Sequence, residues 1–89
     1  MGGVLRMTDS ALEYYRIKYE GDVRAAFVHT VAELGDLARA IERDKPEKVI
    51  VEVTEIAALM HHLAEVYDFD LSASIEEFYS RKLKVLKGA

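Results

Sequence analysis

Apolar residues recur at three- and four-residue steps along most of this chain, the periodicity of helices that keep one side greasy. Leu12, Tyr15 and Tyr19 begin the pattern, and the oxygens of Thr8, Asp9 and Ser10 offer N-caps for a first helix to about Glu20. Gly21 interrupts it, and Asp22 can cap a second helix from about Val23 to Arg43 with a stripe of Val23, Phe27, Val31, Leu34, Ala38 and Ile41. Pro46 suits the first turn of a third helix, where its missing N–H is not needed. Val49, Val53, Ile56, Met60, Leu63 and Tyr67 line that helix. Its β-branched opening, Val49-Ile50-Val51, is locally compatible with a strand, but the helical period runs on too far beyond it. After an Asp68-Phe69-Asp70 turn, Asp70 or Ser72 can cap a fourth helix to about Lys87. Leu71, Ile75, Phe78, Tyr79, Val85 and Leu86 form its apolar face, and Gly88 stops it. The pattern predicts an all-α fold of four helices in one bundle and one domain, with residues 1–7 as a loose leader.

Composition narrows the function. A chain of 89 residues has a marginal core of its own, and 51% hydrophobic residues is rich for that size, so self-association is expected. The absence of cysteine excludes disulfides, a thiol nucleophile and thiolate-bound structural zinc. Net charge is −4, and the basic residues look scattered apart from Arg81, Lys82, Lys84 and Lys87, which argues against nucleic acid as a partner. No apolar run is long enough to span a bilayer and no signal-like segment opens the chain, so no membrane role and a cytoplasmic location are expected.

Two carboxylate pairs carry the candidate chemistry: Glu33-x-x-Asp36 and Glu52-x-x-Glu55. Residues three apart on a helix share a face, and a break at Asp44-Lys45-Pro46 lets the two helices fold back so that the pairs meet. Glu52 falls on the apolar side of its helix, Glu55 at the edge of that side, and Glu33 and Asp36 beside the second helix's stripe. Converging carboxylates cannot all stay ionised without a cation between them, and hard oxygen donors suit Mg²⁺ or Mn²⁺. A solvated helix face is the bland alternative for either pair alone.

Lys82 projects from the fourth helix's apolar face, either as a cation for a phosphate or as a stem whose ammonium reaches water. Lys48, one turn before Glu52, is either an ordinary i,i+4 ion-pair partner or a phosphate contact. His29 shares a face with Glu33 and can line a pocket, whereas His61 and His62 read as surface or interface residues. A di-iron centre is excluded, because Glu-x-x-His is missing: Ala26, Ala58 and Leu59 precede the histidines by three.

At Ala32-Glu33-Leu34-Gly35-Asp36-Leu37 and Glu52-Val53-Thr54-Glu55 the chain resembles the MazG-like all-α nucleotide pyrophosphohydrolases. The likeness runs from about Ala26 to Tyr79 and includes the Asp70-Leu71 start of the last helix. It implies a four-helix bundle completed by homodimerisation, as a dimer or a tetramer. It also implies a divalent-metal-dependent enzyme that hydrolyses a nucleoside triphosphate to monophosphate and pyrophosphate. Glu33, Asp36, Glu52 and Glu55 would be metal ligands and catalytic groups, with Lys82, His29 and Lys48 toward the substrate. The chain departs from the pattern: Ala32 stands where Glu is common, and Asp36 and Glu55 stand where Glu and Asp are usual. His29 aligns with an aromatic, and Phe78 and Lys82 with a Lys and an Asn. Those departures leave a second expectation, a catalytically inactive helical dimer that binds a nucleotide or a protein.

Overall fold

The computed structural model describes residues 9–88, with side chains from Ser10 onward; the expected leader and the Thr8 cap lie outside them. The fold is all-α, and the four helices of the described residues fall where the pattern predicts them: α1 Asp9–Tyr19, α2 Val23–Glu42, α3 Pro46–Val66 and α4 Leu71–Leu86. Their ends follow local chemistry. Asp22 caps α2 by accepting from the Ala25 N–H at 3.1 Å, and Asp70 caps α4 by accepting from the Ala73 N–H at 3.0 Å. Pro46 occupies the first turn of α3.

Two helices end in the same way. After α2, Asp44 turns left-handed (φ 55°), so the Lys45 N–H reaches the Ala40 carbonyl at 2.9 Å and the Asp44 N–H reaches that of Ile41 at 3.1 Å. After α3, Asp68 does the same (φ 59°), with Phe69 bonding to Ala64 at 2.9 Å and Asp68 to Glu65 at 3.1 Å. These paired bonds satisfy carbonyls that a helix end leaves free. Aspartate tolerates the left-handed region better than most side chains. The first turn reverses the chain over Arg43–Lys45 and folds α2 and α3 into a hairpin, the main packing unit.

α1 lies against α3 and touches α2. It inserts Tyr15, which is 5% exposed, and its Arg16 guanidinium holds the Glu65 carboxylate of α3 with both oxygens, Nε lying 3.0 and 2.9 Å from them. The buried centre comprises Tyr15, Ala26, Thr30, Ala40, Glu52, Leu59, His62 and Ala64. Ala26, Thr30 and Ala40 are small, so α2 meets its neighbours through a thin face.

The packing corrects two expectations. Most large apolar residues of α2 lie in the open: Phe27 is 58% exposed, Val28, Val31, Leu34 and Ile41 are likewise open, and Val53 on α3 and Tyr67 just after it join them. A face that is polar by count is the inner one: its alanines and threonine are small, and its charged groups pair along α2 itself, His29 with Glu33 and Arg39 with Asp36. Also, among the described residues the packing lies mainly between α1, α2 and α3. α4 buries no residue, and Phe78, Tyr79, Val85 and Leu86 lie in the open, with Leu71 and Ile75 sharing a groove with Met60, Leu63 and Tyr67 of α3 and its following turn. No helix among the described residues is long and apolar enough to cross a membrane.

Candidate metal centre

Glu33 and Asp36 sit one turn apart on α2, and Glu52 faces them from α3. Each offers a carboxylate oxygen, and these oxygens all lie within 4.8 Å of one another. Glu52 is 8% exposed, and its Oε1 has no hydrogen-bond partner. An unpaired buried carboxylate oxygen is costly, and a cation is the group that removes the cost. Hydrogen bonding to the Glu52 carboxyl holds the Glu33 carboxyl above its ordinary range. Burial and the charges of Glu55 and Glu52 push the same way, while the His29 hydrogen bond pulls against them. Three carboxylates brought this close, one of them buried with a free oxygen, fit a hard cation.

A second chain of hydrogen bonds positions Glu33. The Tyr19 hydroxyl of α1 bonds to His29 Nδ1, and His29 Nε2 lies 3.0 Å from Glu33 Oε2. With Tyr19 donating to Nδ1, the ring carries its proton on Nε2 and donates it to Glu33. Tyr19 was placed by the pattern only as a packing residue; its hydroxyl is the part that the periodicity does not read. His29 therefore lies beside the acidic group, on the face expected for it.

Glu55 stays outside the convergent trio. It remains near enough for its charge to raise both Glu33 and the Tyr15 hydroxyl, for which burial is the larger cause. Asp36 pairs with the Arg39 guanidinium one turn on. Lys48 makes no ion pair with Glu52 among the described residues, and lines a cleft with Arg39, Arg43 and Lys45. Lys82 lies on the open α4, its ammonium 5.1 Å from the centre of the Phe78 ring, and belongs neither to the trio nor to that cleft.

His62, expected at the surface or an interface, lies instead inside the chain. It is 1% exposed, with its ring 5.7 Å from that of Tyr15 and 6.2 Å from that of Tyr19. The reason is the direction in which α3 turns: the side carrying Glu52 and Leu59 continues through His62 under the α1 tyrosines. Both ring nitrogens lack a partner.

No protein-family model matches this chain, and neither a curated protein nor a solved structure is found to match it.

Proposed function

We propose that this chain is a divalent-metal-dependent nucleoside triphosphate pyrophosphohydrolase of the MazG-like kind, with Mg²⁺ or Mn²⁺ as its cofactor. One observation carries the reading: three carboxylates from two helices converge within 4.8 Å, and the most buried of them keeps an unpartnered oxygen. Glu33, Asp36 and Glu52 would hold the ion. When bound, a divalent cation supplies neutralisation of phosphate oxygens and acidification of water. The chain's own groups do the rest. Tyr19 and His29 fix the orientation of Glu33 through the Nδ1 and Nε2 contacts. Water attacks the α-phosphorus, the bond from that phosphorus to the bridging oxygen breaks, and pyrophosphate departs. The proton lost by the water goes to Glu55, the carboxylate beside the trio but outside it.

The active form in this reading is a homodimer or homotetramer. Phe27, Val31, Leu34 and Ile41 on one side of α2, and the uncovered face of α4, are the apolar surface that a second copy would cover. Purified protein supplied with Mg²⁺ or Mn²⁺ should release pyrophosphate from one or more common or deaminated (d)NTPs, and Glu52→Gln should not. Complete inactivity across that panel sinks the catalytic claim.

A second reading is favoured by the separation of Glu55 from the other three acids: a silent module that binds a nucleotide with metal and does not turn it over. Calorimetry separates the two. Metal-dependent nucleotide binding without pyrophosphate release supports the module.

A further inference from the structure

Helix α1 is fastened to the α2–α3 hairpin by unlike forces. Tyr15 is its apolar anchor, 5% exposed and set against the His62 ring at 5.7 Å between centres. Arg16 clamps the Glu65 carboxylate of α3, but that pair stands partly in solvent, where an ion pair contributes little. Tyr19, the last residue of the helix, stacks on Tyr15 with 5.8 Å between rings and bonds through its hydroxyl to His29 Nδ1 of α2. Against these ties stands a cost under the tyrosines. His62 is 1% exposed, and neither of its ring nitrogens has a partner. Burying two unmatched polar atoms opposes whatever covers them. α1 is a strap whose seat carries a penalty of its own.

One tie of the strap runs on to the acidic trio. With the Tyr19 hydroxyl on Nδ1, His29 presents its N–H at Nε2, 3.0 Å from Glu33 Oε2, and holds that carboxylate in one orientation. When α1 lifts, Nδ1 loses this donor. The imidazole is then free to turn and to carry its hydrogen on either nitrogen, so nothing enforces its grip on Glu33. A seated α1 therefore fixes one of the three carboxylates from outside, and a lifted one leaves it loose. No residue of α1 belongs to the trio itself.

We infer that the seating of α1 and the filling of the acidic trio by a divalent cation are one linked equilibrium, with Tyr19 as the positioning residue that joins them. The inference rests on the metal reading of the trio and goes beyond it, because it gives a helix without ligands control over the ion. Linkage is reciprocal: a strap that improves ion binding is itself held down more firmly once the ion is in place. Removing a group that orients a metal ligand by hydrogen bonding typically costs about 10- to 100-fold in metal affinity, so deletion of the Tyr19 hydroxyl should weaken Mn²⁺ binding about tenfold or more.

Calorimetric Mn²⁺ titration and amide hydrogen exchange on the same proteins test the link. Three proteins suffice: wild type, Tyr19→Phe, which keeps the ring against Tyr15 and removes the hydroxyl, and Tyr14→Phe as a control on the exposed side of the same helix. Without metal, the α1 amides of wild type should exchange faster than those of the hairpin. Saturating Mn²⁺ should slow α1 by about the factor that Tyr19→Phe loses in Mn²⁺ affinity, and should leave α1 exchange in Tyr19→Phe unchanged. Tyr14→Phe should match wild type in both measurements. Equal Mn²⁺ affinity in wild type and Tyr19→Phe overturns the link and leaves the metal reading standing. So does wild-type α1 exchange that Mn²⁺ does not slow, a result that needs no variant to fold. An equal loss of affinity in Tyr14→Phe also overturns it, by assigning the effect to helix packing. Failure of Mn²⁺ to bind wild type sinks the metal reading, and the link goes with it.

Discussion

The two sides of α2 reverse the usual relation between composition and position. Its inner side carries Ala26, His29, Thr30, Glu33, Asp36 and Ala40, and it is the side that packs. Its outer side carries Phe27, Val31, Leu34 and Ile41, and it is open. Within one chain, the polar seam holds small residues, the buried Leu59 and the Tyr19–His29 hydrogen bond from α1, whereas no described residue buries the apolar stripe. The comparison teaches that hydrophobic periodicity locates a helix reliably but does not say which neighbour its greasy side meets. A single chain with its largest residues outside has either a second copy upon it or a solubility problem.

The sharpest way to break that comparison is to remove a side chain from each region. Leu59 is 0% exposed, so Leu59→Ala should cost about 2–5 kcal/mol in urea unfolding. Phe27→Ala should cost under about 0.5 kcal/mol in an isolated chain. If a second copy covers the outer side, it should instead shift the sedimentation profile toward monomer. Equal losses from both variants, with no change of oligomeric state, would mean that inner and outer sides have been told apart wrongly.

The next effect concerns the acids of the inner side. Glu33 holds its proton more tightly in the fold than in the unfolded chain, where its value is the ordinary 4.5. Stability from this group is complete below that value. As pH rises above it and through the raised value of the folded state, the metal-free protein should lose stability, seen as a falling Tm. Saturating Mn²⁺ at neutral pH should reverse the loss by about 2.7 kcal/mol at a hundredfold excess over Kd, and Glu52→Gln should abolish the rescue. A variant still rescued in full would deny the trio its ion.

Smaller changes refine the picture. Gly35 lies within α2, and a Cβ there would meet only the Arg39 guanidinium, at 3.9 and 4.0 Å. Gly35→Ala should therefore raise stability by about 0.8–1 kcal/mol, the helix-propensity difference, in thermal unfolding. A loss would reveal that something outside the single chain sits against that position. Smallest is the tie between α1 and α3. Arg16 holds the Glu65 carboxyl below its ordinary range through hydrogen bonds and its charge. The pair is partly exposed, so Glu65→Gln should cost about 0.2–1 kcal/mol at neutral pH. That contribution exists above the unfolded value and fades as pH falls through the lowered one, so wild type and variant should converge in acid.

Much of the fold was legible because it rests on local signals. Asp22, Pro46 and Asp70 mark helix starts by chemistry that operates within a few residues, and the periodicity spans each helix. Of the four acids expected to converge, Glu33, Asp36 and Glu52 do, since spacing and one turn are enough to place them, while Glu55 falls outside the trio. Less could be read where distance mattered. The cationic cleft needs Arg39 and Arg43, one helical turn apart, to be joined by Lys45 and Lys48 across a reversal, so counting charge along the chain hides it. His62 was missed because an imidazole beside another, His61, reads as polar surface until the tyrosines of α1 are laid over it. The place of α4 was misjudged because an apolar stripe is equally compatible with a neighbour in the same chain and with none.

The three-residue link Arg43–Lys45 has a further consequence. A helix advances by about 100° per residue, so the length of that link is a gauge setting which residue of α3 confronts Glu33. Lengthening it by one would slide Val51 into the place of Glu52, and shortening it by one would bring in Val53. Either edit replaces a carboxylate with a valine while leaving every acidic residue in the gene. Insertions and deletions, more than substitutions, are therefore the changes by which a descendant of this chain could lose its acidic seam while keeping the hairpin.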